Sequence, residues 1–335
     1  MMPFIYSKRT AQDYSRKLAS TTKFISHLRP FILLGLFAQV GCAVSDTTLD
    51  PAVPHALLQR SMDLTGAQMG KSLLGPPSAN YIKLKRPTAM SARDNEVYLI
   101  DAGLNQIFHY NRFQQTLIPF TNLPVNADMT IYVAPDRTVY IADPHSSAVL
   151  HFTSDGTPLP SLVSLGNLAR PVAVSVDERN GHVVVADGLF DQFIFFSNLG
   201  MTLSVVKPKR AVAISAMATG PDGIYVANRI DRQVTVLGWD GTFRYALGVN
   251  ELGAPGAIAV SRENLVFVSD TYDQTIKVYR GQVTGGENVP SMAKIGGVGA
   301  GPGSFNGITG LAVDGSLLYA TDSLNARVKI MLINQ

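Results

Sequence analysis

The chain has 335 residues, 46% of them hydrophobic and 16% charged, with 29 glycines, 19 prolines and a single cysteine. This mixture excludes a disordered chain and suits a globular protein of many short strands and turns, while one cysteine excludes an intramolecular disulfide. The net charge of +3 does not mark a nucleic-acid binder, because six of the 28 basic residues and one of the 25 acidic ones precede Cys42, leaving 22 against 24 in the remainder.

Phe31 to Ala38 (FILLGLFA) is an eight-residue apolar run behind a basic stretch, too short to cross a bilayer as a helix and suited to the hydrophobic region of an export signal. It leads into Gln39-Val40-Gly41-Cys42, which resembles the lipobox of bacterial lipoproteins, although the family usually has Leu where this chain has Gln39. The resemblance implies that residues 1–41 are a signal peptide and that Cys42 is acylated and anchors the chain to a membrane, facing the periplasm. Ala43, rather than Asp, at the next position implies sorting to the outer membrane.

Residues 42–79 read as a tether, with Asp50-Pro51, Val53-Pro54 and Gly75-Pro76-Pro77 and room for one short helix near His55 to Met69. Gly70-Lys71-Ser72 is no phosphate loop, because the glycine spacing is wrong and no strand leads into it.

From residue 80 onward a repeat of about 42 residues governs the chain. Six apolar strands close on Asp101, Asp143, Asp187, Asn228, Asp270 and Asp322, spaced 42, 44, 41, 42 and 52 apart. Six residues past each lies an apolar residue (Ile107, Val149, Phe193, Val234, Ile276, Val328), and nine past each another, such as Tyr110 or Phe196. A further short strand precedes each closing residue, as in Pro171 to Val176, and Asp155-Gly156 and Asp240-Gly241 supply hairpin turns. Four strands per repeat, six times over, predict an all-β, six-bladed β-propeller of four-stranded blades over residues 80–335. The last repeat ends after its third strand, so Tyr81 to Lys85 is expected to close the ring by completing the last blade, leaving no free edge there.

The stretch Gly296 to Asp314 (GGVGAGPGSFNGITGLAVD) followed by Thr321 to Met331 (TDSLNARVKIM) resembles the NHL-repeat propellers, and the other five repeats follow the pattern more weakly. The resemblance implies a rigid ring with a binding surface at one end of its channel. Such propellers include both binding modules and enzymes, so the fold does not choose between them.

The repeated aspartates occupy equivalent turn positions and are expected to cap turns rather than to converge. His109 and His151 are equivalent to Phe195, Val236, Val278 and Ile330, which makes that position a packing site. Peptide-amidating lyases, which resemble this family, bind zinc through histidines near the inner strands, and those strands carry none here. Gluconolactonase-like propellers hold a divalent metal with acidic and amide ligands at the channel. The residues before the inner strands are here Arg86, Asp128, Arg170, Ala213, Ala254 and Asn306, a poor cation site. Arg86, Asp128 and Arg170 suit an anionic ligand better, since guanidinium presents a fork of donors to carboxylate or phosphate.

No catalytic constellation, metal ligand or cofactor motif stands out. The sequence therefore points to a lipid-anchored envelope propeller that binds a protein partner or an anionic envelope polysaccharide and no nucleic acid. The alternative is a lactonase-like, metal-dependent hydrolase or lyase acting at the channel mouth.

Overall fold

The computed structural model describes residues 46–47, 58–69, 81–281 and 288–333. The segment expected to be a signal peptide, residues 1–41, and Cys42 lie outside them. The sheets are antiparallel at their centres and each is built on one sequence repeat. The inner strands Pro87–Arg93, Thr130–Val133, Pro171–Asp177, Ile214–Gly220, Pro255–Val260 and Leu311–Asp314 contact one another in turn, and the last contacts the first. The protein is thus an all-β, six-bladed propeller, with blades numbered here 1 to 6 from these strands.

The second strands, such as His182–Asp187 and Leu265–Asp270, are buried almost throughout. They read as continuous apolar runs because each faces a neighbouring blade on both sides. Six apolar clusters fill the gaps between adjacent blades, for example Val174, Val185, Ile194 and Phe196 with Tyr140 and Ala142 between blades 3 and 2. In four blades the closing residue pairs with the first residue of the inner strand and a bulge follows at once: Pro87 with Asp101, Pro171 with Asp187, Ile214 with Asn228 and Pro255 with Asp270. Proline is tolerated at a strand's first position because the missing N–H costs no ladder bond there.

An N-terminal strand closes the ring, but a different one from that expected. Leu58–Leu64 pairs antiparallel with Arg327–Ile333 and completes blade 6, and Asp46–Thr47 lies outside it. Tyr81–Lys83 instead pairs with Gly66–Gln68 on the outer edge of blade 1. Charge explains the choice. Arg327 and Lys329 on the last strand are buried; Asp322 meets Arg327 at 2.6 Å, but the pair carries one further positive charge, which Asp63 answers, 2.7 Å from Arg327 Nη1 and 3.2 Å from Lys329 Nζ, whereas Tyr81 to Lys85 contains no acid. Gly66 is required by the closeness of the added strand, since a Cβ there would stand 2.2 Å from the Ile82 carbonyl oxygen. Part of the expected tether is therefore strand, Leu58–Leu64 and Gly66–Gln68 falling within the stretch with room for a helix.

The 52-residue spacing before the last repeat also has a structural reason. The chain leaves blade 5 and lays Asn288–Val289 parallel to Phe243–Leu247, the outer strand of blade 4, before returning as Ala293–Gly296 to finish blade 5.

Candidate functional site

The six inner strands enclose a channel of about 610 Å³. Its wall is mostly small side chains, among them Ala89, Ser91, Ala173, Ser215, Ala257 and Thr309. The chemistry therefore concentrates at the two mouths: a proximal one where the inner strands begin and a distal one where they finish.

At the proximal mouth the closing residues cap turns, as expected. The Asp101 carboxylate accepts the backbone N–H groups of Lys85, Arg86, Gly103 and Leu104 at 2.8–3.0 Å. Asp187 does the same for Ala169, Arg170, Leu189 and Phe190. Each thus ties the turn between second and third strands to the segment entering the inner strand. Asn228 accepts from Ala213 and Ile230 and hands its amide to Asp231, 3.1 Å away. Burial opposes ionisation of Asp270, but Lys277, 2.5 Å away, and the N–H groups of Gly253, Ala254 and Tyr272 outweigh it and hold its pKa below the ordinary value.

These six turns share one backbone geometry. The fourth residue past each closing position (Asn105, Ser147, Asp191, Arg232, Gln274, Ala326) has φ between 49° and 55°, the left-handed region. The second residue past it forms the tip: Gly103, His145, Leu189, Ile230, Tyr272 and Leu324. Gly103 is forced, because a Cβ there would lie 2.8 Å from the Lys85 Cβ and 2.9 Å from the Arg86 Cβ. His145 faces Asp128 at 3.6 Å and Asp143 at 3.9 Å. The tips of blades 3 to 6 are apolar and between 60% and 81% exposed. Solvent-exposed arginines, Arg86, Arg170, Arg229 and Arg232, share this end.

Arg86, Asp128 and Arg170 stand exposed just before the inner strands of blades 1, 2 and 3, and none lines the channel cavity. Arg170 donates to the Gly188 carbonyl at 2.6 Å. Among the described residues no ion pair or hydrogen bond joins the three to one another. The crown of apolar tips was readable in the repeat, because it recurs at one fixed offset.

The distal mouth holds a network that no repeated position announced. Arg93 at the end of blade 1's inner strand pairs with Glu178 at 2.6 Å and donates to the Val133 carbonyl at 3.3 Å, joining blades 1, 2 and 3. Burial pushes the Tyr132 phenol above its ordinary pKa against the pull of Arg93 and Ser175 beside it. Arg179 pairs with the buried Asp177 at 2.7 Å and lies 4.3 Å over the Trp239 ring. Trp239, beside the Asp240-Gly241 turn, lines this mouth. His109 and His151 each stack on the tyrosine opposite in the ladder, Tyr98 at 4.7 Å and Tyr140 at 4.2 Å, and half-buried His109 also meets the Glu96 carboxylate at 2.5 Å. Among the described residues no group of three His, Cys, Asp or Glu side chains is placed to hold a metal ion.

No family model matches the chain, and no curated protein sequence does. Solved structures do match. A gluconolactonase from Xanthomonas campestris aligns with TM-score 0.61 and 13% identity, over 89% of this chain and 99% of that one. Virginiamycin B lyase from Staphylococcus aureus aligns with TM-score 0.53 and 10% identity over 75% and 96%. A Bacteroides thetaiotaomicron protein of unknown function gives 0.58 and 14% over 80% and 73%. The likeness is one of fold. At such identities the likeness shows the ring and not what it does.

Proposed function

We propose that this chain is a binding propeller of the cell envelope, of NHL-repeat type, which captures a partner protein on its proximal end. The observation that carries this reading is the crown formed by Leu189, Ile230, Tyr272 and Leu324, apolar and exposed at equivalent turn tips of four successive blades. Clustered exposed apolar side chains mark interaction sites, and a rigid ring presents them without an ordering cost. Arg86, Arg170, Arg229 and Arg232 around the crown select a partner with acidic groups at its rim, by complementarity. On this reading Cys42 is the acylated N-terminus and holds the propeller at the periplasmic side of a membrane, the outer one by the Ala43 rule. Anionic envelope polysaccharide is the other partner class, with Arg86, Asp128 and Arg170 as its contacts.

The test is site-specific photocrosslinking in exporting cells. A photoreactive residue at Tyr272 or Leu324 is expected to give one discrete adduct, and the same residue at exposed Phe113, outside the crown, none. Adducts equally strong at all three positions would defeat the reading. Replacing Cys42 by Ala is expected to release the chain from the membrane fraction.

A second reading, a lactonase-like or lyase-type enzyme, rests on the 610 Å³ channel with Arg93, Glu178 and Tyr132 at its distal mouth. Turnover of a lactone or ester by the purified protein, lost on Glu178→Gln, would establish it.

A further inference from the structure

A propeller's radial sheets leave outer strands with unpaired backbone N–H and C=O groups, and such edges invite pairing unless they are protected. Five of the six blades protect theirs. Blade 1 is covered by Gly66–Gln68 and Tyr81–Lys83, blade 4 by Asn288–Val289, and blade 6 by Asp46–Thr47. Blade 2's outer strand, Pro158–Leu162, carries two prolines, and blade 5's, Ala293–Gly296, is short and bears Lys294. Proline, lysine and brevity are the usual defences.

Blade 3 has none of them. Its outer strand, Thr202–Val206 (TLSVV), is the last of its sheet, and four of its five residues are exposed. Around it lie six large apolar side chains between 37% and 96% exposed: Leu203 and Val205 on the strand, Leu199 and Met201 before it, and Val163 and Leu165 on the neighbouring loop. That loop is fastened alongside, since Thr202 Oγ1 donates to Ser164 Oγ at 3.2 Å. Neither Gly156 to Ala169 nor Gln192 to Val206 contains a charged residue.

We infer that blade 3's outer strand is a homodimer interface, pairing antiparallel with the same strand of a second copy about a two-fold axis. A free edge accepts another strand. The missing charge selects the occupant: an isologous interface sets a strand against its own reversed copy, so charges near the axis meet their like, and this stretch has none to oppose. The two sheets join into one of eight strands, with the apolar side chains of both copies flanking the seam. The interface lies on the rim and leaves both channel mouths open, so it does not depend on the function proposed above.

Native mass spectrometry of the full chain, purified from expressing cells at micromolar concentration, is expected to show a dimer. Leu203→Lys and Val205→Pro are each expected to give a monomer whose melting temperature matches that of the parent; both changes fall on exposed positions outside the core, and the Val205 N–H points to the free edge, since its partner Ile194 lies between the residues that bond this strand. In an otherwise parental chain, Leu203→Cys or Ser204→Cys is expected to give a disulfide-linked dimer on oxidation, at whichever position faces its copy across the axis. A parental chain that stays monomeric, or a dimer that survives both Leu203→Lys and Val205→Pro, overturns the proposal.

Discussion

Asp187 shows how much one side chain does in each blade. Its two oxygens each accept two backbone N–H groups, so Asp187→Asn turns an acceptor into a donor facing two donors. Blade 4 tolerates an amide at this position because Asp231, three residues on, receives its NH₂ group; in blade 3 that place is Phe190. Asp187→Asn is therefore expected to cost about 2 kcal/mol or more in denaturant unfolding, and adding Phe190→Asp to recover part of it. His151 gives a pH signature. Burial disfavours its imidazolium and holds its pKa below the ordinary 6.5, against the opposing pull of Asp136 and the Pro160 backbone. The unfolded chain binds a proton near pH 6.5 and the folded one only at lower pH, so stability is full above 6.5 and falls as the pH drops through that window. His151→Phe, the residue type blade 3 has at Phe195, is expected to flatten the melting temperature between pH 7 and 5. Both roles were legible in the sequence, because six equivalent positions show what one position needs. The Arg93–Glu178 and Arg179–Trp239 contacts were not, since they join ends of different blades at positions without counterparts in the repeat.

At the scale of elements, the repeat fixed every blade's inner, second and third strands but not the strand that closes the ring. Tyr81 to Lys85 had the right pattern and the right neighbour in sequence. What distinguished Leu58–Leu64 was Asp63, whose partners Arg327 and Lys329 lie about 265 residues away and could not be seen as buried from the sequence. Burial lowers the pKa of Lys329, and Asp63 opposes that, so loss of Asp63 leaves a buried cation short of its counterion. Removing one partner of a buried ion pair costs roughly 3–5 kcal/mol. A fragment of residues 80–335 also loses the outer strand of blade 6 and is expected to unfold at a much lower denaturant concentration than residues 56–335, or to aggregate. Equal midpoints for the two fragments would show that Tyr81 to Lys85 can close the ring after all.

Over the whole molecule the two ends of the channel are built differently. At the distal mouth Arg93 and Arg179 are met by Glu178 and Asp177 within the ring, and Trp239 is covered by Arg179. At the proximal mouth the capping aspartates are satisfied within their blades, Asp101 and Asp187 by backbone N–H groups and Asp270 and Asp322 also by Lys277 and Arg327, while the apolar tips and Arg86, Arg170, Arg229 and Arg232 face solvent. Stability and recognition are therefore separable by mutation. Replacing Leu189, Ile230, Tyr272 and Leu324 together by Ser removes exposed side chains that the folded ring does not use, at a cost of about 0.5 kcal/mol or less each. The variant is expected to melt close to the parent and to lose its partner adducts in cells. Arg93→Ala is expected to do the reverse, lowering the melting temperature while leaving adduct formation at Tyr272 intact. If the crown variant instead kept its partner and Arg93→Ala lost it, recognition would belong to the channel's distal mouth.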